Sequence, residues 1–276
     1  MEYPLRTTSE QHVQHVVPHS LLSPFISHYS FHHVAIPPNS YIEKVMPFRL
    51  INSIDFFIGD PFQSMDCQSG EIVPFTRSAI RGIQTRKEHL IRLQGTFISF
   101  NVKFHVTGLY QLLGIPMDTF RDKVVSTKHI NILPFEEITK QLLYADDIKT
   151  CINIVEPHLL YLASRKVSVS GVASQAAELL KQQKGCASIR QLALTSNLSL
   201  RQLERNFIRE IGVSPKIYSR MLRFHRLIQN RIITPNQKWA NLASDHDYFD
   251  QMHLIKEFKQ FLGTTPSAFI PADFAF

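Results

Sequence analysis

The sequence predicts a two-domain α+β protein, with a β-rich N-terminal half and an all-α C-terminal half. Segments 49–58 and 95–106 are dense in Phe, Ile and Val and are bounded by turn-forming residues, which is typical of strands. The C-terminal part instead carries apolar residues at helical spacing, and a set of these occurs twice. At 276 residues, the chain is long enough for two separate cores.

The N-terminal half is predicted to form a small antiparallel barrel or sandwich with flanking helices. Residues 96–104 alternate with a period of two, which predicts one buried and one solvent-facing side. After about residue 108, the spacing of leucine and isoleucine predicts helices over 109–113, 134–143 and 146–162.

A short polar, serine-containing stretch separates the two halves. We place a linker at residues 166–171 for this reason. The predicted domains are then residues 1–165 and residues 172–276.

The repeat in the C-terminal half predicts two helix-turn-helix units. Each copy contains an apolar pair on one helix face, a glycine that ends the helix and a proline that starts the next. The copies lie 51 positions apart: Leu203, Phe207, Gly212 and Pro215, then Leu254, Phe258, Gly263 and Pro266. A helix-turn-helix is mainly a device that places its second helix in a DNA groove.

Positive charge is concentrated in the same region. The net charge is +7, and residues 172–276 hold 14 Lys and Arg against 8 Asp and Glu. The segment from Ser188 to Lys238 contains ten basic residues and only two acidic ones, Glu204 and Glu210. Attraction to the phosphates of double-stranded DNA explains this bias better than an ordinary solvated helix face.

The outward positions of the two second helices are the predicted base-reading residues. Arg and Lys suit guanine edges, Gln suits adenine and Glu suits cytosine, whereas Met and Ile are limited to thymine methyl groups or shape. The first helix is therefore the stronger predicted base reader. The candidates are Arg201, Gln202, Glu204 and Arg205 in the first unit, and Gln251, Met252, Ile255 and Lys256 in the second.

The spacing of the units is compatible with one DNA duplex. The predicted connecting helix, residues 215–232, is about 27 Å long at 1.5 Å per residue. Successive major-groove segments on one side of DNA lie about 34 Å apart, so one chain can reach two of them. From charge and position alone, Ser199, Arg209, Arg220 and Arg223 are predicted to contact the DNA backbone.

These residues resemble the AraC/XylS family of bacterial transcription regulators. The first unit carries the pattern from Leu192-Ala193 through Ser199, Arg201 and Phe207 to Tyr218, and the second carries Tyr248-x-Asp250-Gln251 through Phe258-Lys259 to Pro266. One departure is Asp247, where the family usually has Gly; Asp tolerates a positive φ at modest cost. The resemblance implies about seven helices and a monomer that binds DNA with two recognition helices.

The first half resembles, more loosely, the N-terminal domain of some of these regulators, over residues 54–62 and 104–116. This resemblance implies a cupin-like barrel that senses a small-molecule effector or forms a homodimer. His105 departs from the pattern, which often has Pro there. The family also implies contact with RNA polymerase, to which no residue here is assigned.

Other classes of function find less support. No nucleophile motif, phosphate-binding loop or metal-ligand spacing occurs, so we expect no enzyme activity, catalytic residue, cofactor or metal. The 20 Phe residues are interpreted mainly as core, with a ligand pocket as the alternative. Without a long apolar run or a leader, a cytoplasmic protein with no membrane contact is expected. Two alternatives stay open: a metal-binding or enzymatic cupin-like domain fused to a DNA-binding module, and an N-terminal domain that binds only protein.

Overall fold

The computed structural model describes residues 10–87, 89–165 and 171–273. Within the described residues, the N-terminal domain contains ten strands, three α-helices and two short 3₁₀ helices. The strands are β1 (Glu10–Val16), β2 (Ile26–Ala35), β3 (Ile42–Val45), β4 (Ser53–Phe57), β5 (Gln63–Asp66), β6 (Ile72–Val73), β7 (Ser78–Arg81), β8 (His89–Leu93), β9 (Thr96–Phe104) and β10 (Val124–Ser126). The helices are α1 (Gly108–Leu113), α2 (Phe135–Leu142) and α3 (Ile148–Ser164).

The strands form two antiparallel sheets that face each other. The larger sheet has the order β1-β2-β9-β4-β7-β10, and the smaller has the order β3-β8-β5-β6. The long central pair is β2 and β9, in which Phe31 lies opposite Phe100. This arrangement confirms the predicted N-terminal barrel with flanking helices.

The alternation in β9 places its side chains on two different surfaces. Phe100 and Val102 are fully buried in a cluster that includes residues of α1, α2 and α3. Ser99 and Asn101 face the space between the sheets, where both are also buried. The prediction of a solvent-facing side was wrong, because the smaller sheet covers that face. The apolar core of this domain thus lies between the larger sheet and the helices, and the interior between the sheets is partly polar.

The C-terminal domain is helical. It contains α4 (Val172–Gln182), α5 (Ile189–Thr195), α6 (Leu200–Ile211), α7 (Pro215–Ile233), α8 (Trp239–Asp245) and α9 (Gln251–Leu262). Short 3₁₀ turns follow at Pro266–Ala268 and Pro271–Asp273. The all-α prediction is confirmed, although residues 171–273 contain six α-helices, and the segment restarted by Pro266 is a 3₁₀ turn.

The predicted helix boundaries differ from the structure by one to a few residues. The connecting helix ends at Ile233, one residue later than predicted, and α3 begins at Ile148 because Asp147 caps it. Of the predicted linker, residues 166–170 lie outside the described residues. Gly171 is the N-cap of α4.

The N-terminal domain contacts the C-terminal ends of both α6 and α9. Gly212 ends α6 with a φ of 100°, and a Cβ added there would lie 3.0 Å from the carbonyl oxygen of Met117. At the end of α9, the amide of Phe48 donates to the carbonyl oxygen of Phe261 over 3.3 Å. The opposite, N-terminal ends of both helices stay exposed. Among the described residues, no helix is both long and apolar enough to cross a bilayer.

Candidate nucleic-acid interface and barrel cavity

The two helix-turn-helix units have the same internal construction. Leu192 and Leu203 are buried between α5 and α6, and Leu242 and Leu254 are buried between α8 and α9. In the first turn, the amide of Leu198 donates to the carbonyl oxygen of Ala193 over 2.9 Å. The amide of Tyr248 makes the equivalent bond to Ala243 over 3.0 Å. The sequence repeat is therefore a structural repeat.

Both turns contain a residue with a left-handed backbone. Asn197 has a φ of 52°, and Asp247 has a φ of 59°. Asn and Asp tolerate this region better than other residues with a Cβ. Asp247 therefore takes the positive φ that its place in the turn requires, and its Oδ2 also accepts a hydrogen bond from the Cys186 thiol over 3.0 Å.

The predicted base-reading residues of the first unit share the exposed face of α6. Arg201, Glu204 and Arg205 are exposed, and Arg201 and Arg205 have no ion-pair partner among the described residues. Two free guanidinium groups next to one carboxylate offer both donors and an acceptor to base edges.

Gln202 lies on the same face, but its side chain folds back on the helix. Its Oε1 accepts hydrogen bonds from the amide of Ser199 over 2.9 Å and from the hydroxyl of Ser199 over 2.8 Å. The Ser199 hydroxyl in turn accepts from the amide of Gln202, which completes a capping box. Base reading by Gln202 stays a prediction, and it requires this side chain to leave the cap or to use only its NH₂ group.

The second unit presents a more apolar face. Gln251, Met252 and Lys256 are exposed on α9, whereas Ile255 is half-buried. Phe249, which directly precedes the N-cap Asp250, is 95% exposed. The exposure of Phe249 was not predicted, although its place between the buried Tyr248 and the N-cap Asp250 is visible in the sequence.

The residues predicted to contact the DNA backbone have several intramolecular partners. Arg209 pairs with Glu210 over 3.4 Å, and its guanidinium lies 5.9 Å from the ring centre of Tyr110 in the N-terminal domain. Arg220 bonds Glu257, and Arg223 lies over the ring of Tyr248. These arginines join α6 and α7 to their neighbours, so their phosphate contacts stay a prediction.

Trp239 is a packing anchor of the second unit. Its ring lies 5.0 Å from that of Phe258 and 6.3 Å from that of Phe269. The guanidinium of Arg231 on α7 lies 4.5 Å above the ring. Trp239 thus ties the start of α8 to α7 and α9.

A cavity of about 1160 Å³ lies between the two barrel sheets, and His225 and Gln229 of α7 form part of its lining. Its polar side contains three cations around one carboxylate. Arg81 Nε lies 2.5 Å from Asp55 Oδ2, Lys103 Nζ lies 3.6 Å from Asp55 Oδ1, and Arg49 Nη1 lies 3.9 Å from Asp55 Oδ2. We call Arg49, Asp55, Arg81 and Lys103 the charge cluster.

The charge cluster shifts the ionisation of its own members. Burial alone would raise the pKa of Asp55, but the charges of Arg81, Lys103 and Arg49 outweigh it and hold this pKa well below its usual range. Burial, reinforced by Arg49, lowers the pKa of Lys103 to about 7. Burial and the Lys103 charge lower the pKa of His32, another lining residue, to about 4.

An aromatic wall forms another side of the cavity. It consists of Phe57, Phe62, Phe75 and Phe97, with the ring centres of Phe57 and Phe62 separated by 4.9 Å. Other phenylalanines, such as Phe56 and Phe100, belong to the core. The Phe residues therefore lie both in the core and around the cavity, and the use of the cavity as a ligand pocket stays a prediction. Among the described residues, no group of three or more His, Cys, Asp or Glu side chains is arranged to hold a metal ion.

Two family models match the sequence: a helix-turn-helix domain over residues 192–271, and a domain of unknown function over residues 14–126. A search of curated proteins returned no match. Among solved structures, ToxT from Vibrio cholerae is 8% identical, covers 87% of this chain and 96% of its own, and has a TM-score of 0.46. The AraC-like transcriptional activator CuxR is 13% identical, and the match covers 80% of this chain and 86% of the CuxR chain with a TM-score of 0.27.

The matched helix-turn-helix region contains both units, from Leu192 at the start of the first to the 3₁₀ turns after the second. The same residues carry the buried repeat, the two left-handed turns and the exposed second helices. Residues 192–271 therefore carry a helix-turn-helix domain, in agreement with the resemblance of this region to the AraC/XylS family of transcription regulators.

Proposed function

We propose that this protein is a sequence-specific regulator that inserts α6 and α9 into successive major-groove segments of one DNA duplex. The observation that carries the proposal is the pair of exposed second helices joined by α7. With 19 residues, α7 spans about 28 Å at 1.5 Å per residue, close to one helical turn of DNA. Residues 172–276 form the DNA-binding domain, and residues 166–171 form the linker.

The two units make different kinds of contact with the bases. Arg201, Glu204 and Arg205 supply charged donors and an acceptor to base edges in the first segment, with Gln202 adding its amide. In the second segment, Gln251 and Lys256 supply donors, while Met252 and Ile255 contact thymine methyl groups. Ser199, Arg209, Arg220 and Arg223 contact the DNA backbone around these positions.

Residues 1–165 form the sensing domain in this proposal. The cavity between the two sheets supports this role, because its volume and its mixture of aromatic and charged side chains are typical of small-molecule sites. α7 contributes His225 and Gln229 to the lining of the cavity, so an occupant beside them contacts both domains. Homodimer formation through this domain and contact with RNA polymerase complete the regulatory role that we propose.

The test is selection of bound duplexes from a random pool by the full-length protein at about 150 mM salt. Two enriched elements, centred about 10 base pairs apart, are the expected result. A protein with Arg201→Ala and Arg205→Ala should lose the first element and keep the second; Lys128→Ala with Lys181→Ala removes equal charge elsewhere and should keep both.

Enrichment of a single element would contradict base reading by both helices, and would make α9 a backbone clamp. No enrichment, with or without added metabolite extract, would overturn the proposal as a whole.

A further inference from the structure

The charge cluster in the barrel is not neutral. Arg49, Arg81 and Lys103 share the single carboxylate of Asp55, whose side chain is fully buried, and the three cationic side chains are only 13–17% exposed. The remaining acidic residues of the cavity wall, Glu43 and Asp273, belong to β3 and the C-terminal 3₁₀ turn. Glu43 is paired with Arg92 at 2.6 Å. The cluster therefore keeps an excess of positive charge on side chains that are largely buried.

An excess buried charge is expensive unless a counter-charge accompanies it. Lys103 Nζ pairs with Asp55 Oδ1 at 3.6 Å, which is too long for a hydrogen bond, so this carboxylate does not use the N–H donors of the ammonium. The Ser30 hydroxyl, also in the cavity wall and 1% exposed, has no hydrogen-bond partner among the described residues. Cationic donors and an unused hydroxyl in one wall together suit an oxyanion.

The aromatic wall continues directly from the charge cluster. The guanidinium carbon of Arg81 lies 5.9 Å from the ring centre of Phe57, and Phe57 stacks edge-on against Phe62. Phe62 in turn contacts Phe97 with ring centres 5.7 Å apart. A ligand that reaches the cations therefore places the rest of its body on phenyl rings.

We propose that the charge cluster binds the oxyanion group of a small organic acid, whose apolar body lies on Phe57, Phe62 and Phe97. Lys103 and the guanidinium groups of Arg49 and Arg81 pair with the oxyanion, and Asp55 holds the two guanidinium groups in place. This inference rests on the proposed sensing role of residues 1–165 and specifies the chemical class of its ligand. Carboxylates and phosphate esters share this chemistry.

Because the pKa of Lys103 is lowered, the binding of an anion should also be accompanied by proton uptake. Without a ligand, burial keeps this lysine partly neutral near neutral pH. An oxyanion beside Nζ favours the charged form, so binding takes a proton from solution. A site that recognised a neutral ligand through its aromatic wall would not take up this proton.

The test is isothermal titration of the full-length protein with three probes of similar body: phenylacetate, phenyl phosphate and phenylacetamide. The anions are expected to bind at least about tenfold more tightly than the neutral amide. Lys103→Met should lower the affinity for the two anions by about tenfold and change the affinity for the amide little. Lys128→Met, which removes an exposed lysine, is the matched control and should change neither. Preference for one of the two anions identifies the source of the oxyanion.

Titration in two buffers of different ionisation enthalpy measures how many protons the protein takes up when the ligand binds. Wild-type protein should take up a proton with the anions at about pH 7.5, and the Lys103→Met protein should not. Equal affinity for anions and amide, absence of heat with every probe, or equal loss in both lysine variants would overturn the proposal. Selection of DNA is a separate readout, so failure of anion binding and failure of DNA recognition are distinguishable.

Discussion

Arg220 on α7 donates a hydrogen bond from Nε to Oε1 of Glu257 on α9 over 2.7 Å. Glu257 is completely buried, and its other oxygen accepts from the Tyr248 hydroxyl over 3.0 Å. The first contact joins α9 to the connecting helix, and the second joins α9 to the turn that precedes it. The orientation of α9 relative to α7 therefore depends on this carboxylate.

Removal of the arginine is expected to destabilise the protein. Arg220→Met leaves a buried carboxylate without its cationic partner, and we expect a loss of about 2–3 kcal/mol in the free energy of unfolding. Denaturant unfolding measures this loss. Arg190→Met, on the exposed face of α5, is the control and should cost little. A loss confined to DNA affinity, with unchanged stability, would instead assign Arg220 to phosphate binding.

Arg201→Ala and Arg205→Ala are each expected to cost about 1–3 kcal/mol of specific DNA binding. Both side chains are exposed and free of ion pairs with described residues, so folding stability should change little. Fluorescence anisotropy with the selected duplex and a shuffled duplex measures the effect. An equal loss on both duplexes, or the same loss in Lys181→Ala, would show that these arginines only supply charge.

The second unit should depend on thymine methyl groups. Replacing thymine by uracil in its half-site removes those methyls, and we expect wild-type affinity to fall by about 0.8 kcal/mol for each methyl contacted. Met252→Ala and Phe249→Ser should make binding insensitive to this replacement, since both side chains are largely exposed beside the N-terminus of α9. Uracil in the first half-site is the matched control. Wild-type protein that ignores uracil in the second half-site would contradict this role.

The helix-turn-helix units were predictable because their determinants are local. The spacing of Leu203 and Phe207 defines one face of a helix, and Gly212 ends it within the same short segment. The same holds for Asn197 and Asp247, since a left-handed turn depends mainly on the residue that occupies it. The exposed faces of α6 and α9 followed from these elements.

The barrel interior was not predictable in the same way. The alternation in residues 96–104 shows that β9 has two faces, but the covering of the second face depends on a sheet formed elsewhere in the chain. Asp55, Arg81 and Lys103 come from three different strands and meet only through strand pairing. This strand pairing cannot be derived from single positions in the sequence. The charge cluster and the cavity were therefore visible only in the structure.

Phe48→Ala should weaken the junction between the domains. The Phe48 ring is 4% exposed and lies 5.2 Å from that of Phe224 and 5.3 Å from that of Phe261. Truncation of a buried phenylalanine costs about 3–5 kcal/mol. Thermal unfolding should show a lower transition for the C-terminal helices. Tyr144→Ala removes a side chain that is 91% exposed and should leave the transition unchanged.

The stability of the protein should rise with pH above neutrality because of Lys103. Its folded pKa is lowered to about 7 by burial, while the unfolded chain has the ordinary value of 10.5. Between these values the unfolded state binds more protons, so the free energy of unfolding increases with pH, by up to about 1.4 kcal/mol per unit. Below pH 7 both states carry the charge, and the folded state bears the full cost of burying it.

The other groups around Lys103 do not reproduce this slope. The pKa of Asp55 is far below the window, Arg49 titrates only near 10, and His32 is neutral in the folded state above about 4. The remaining charged or titratable groups near Lys103 are Arg81 and His28. Burial lowers the pKa of His28, which moves it further away from the pH range above 7. Denaturant unfolding at about pH 7, 8 and 9 should therefore show a rising stability in wild-type protein relative to Lys103→Met. Parallel curves for the two proteins would mean that Lys103 stays charged in the barrel, since a neutral lysine must release its proton on folding.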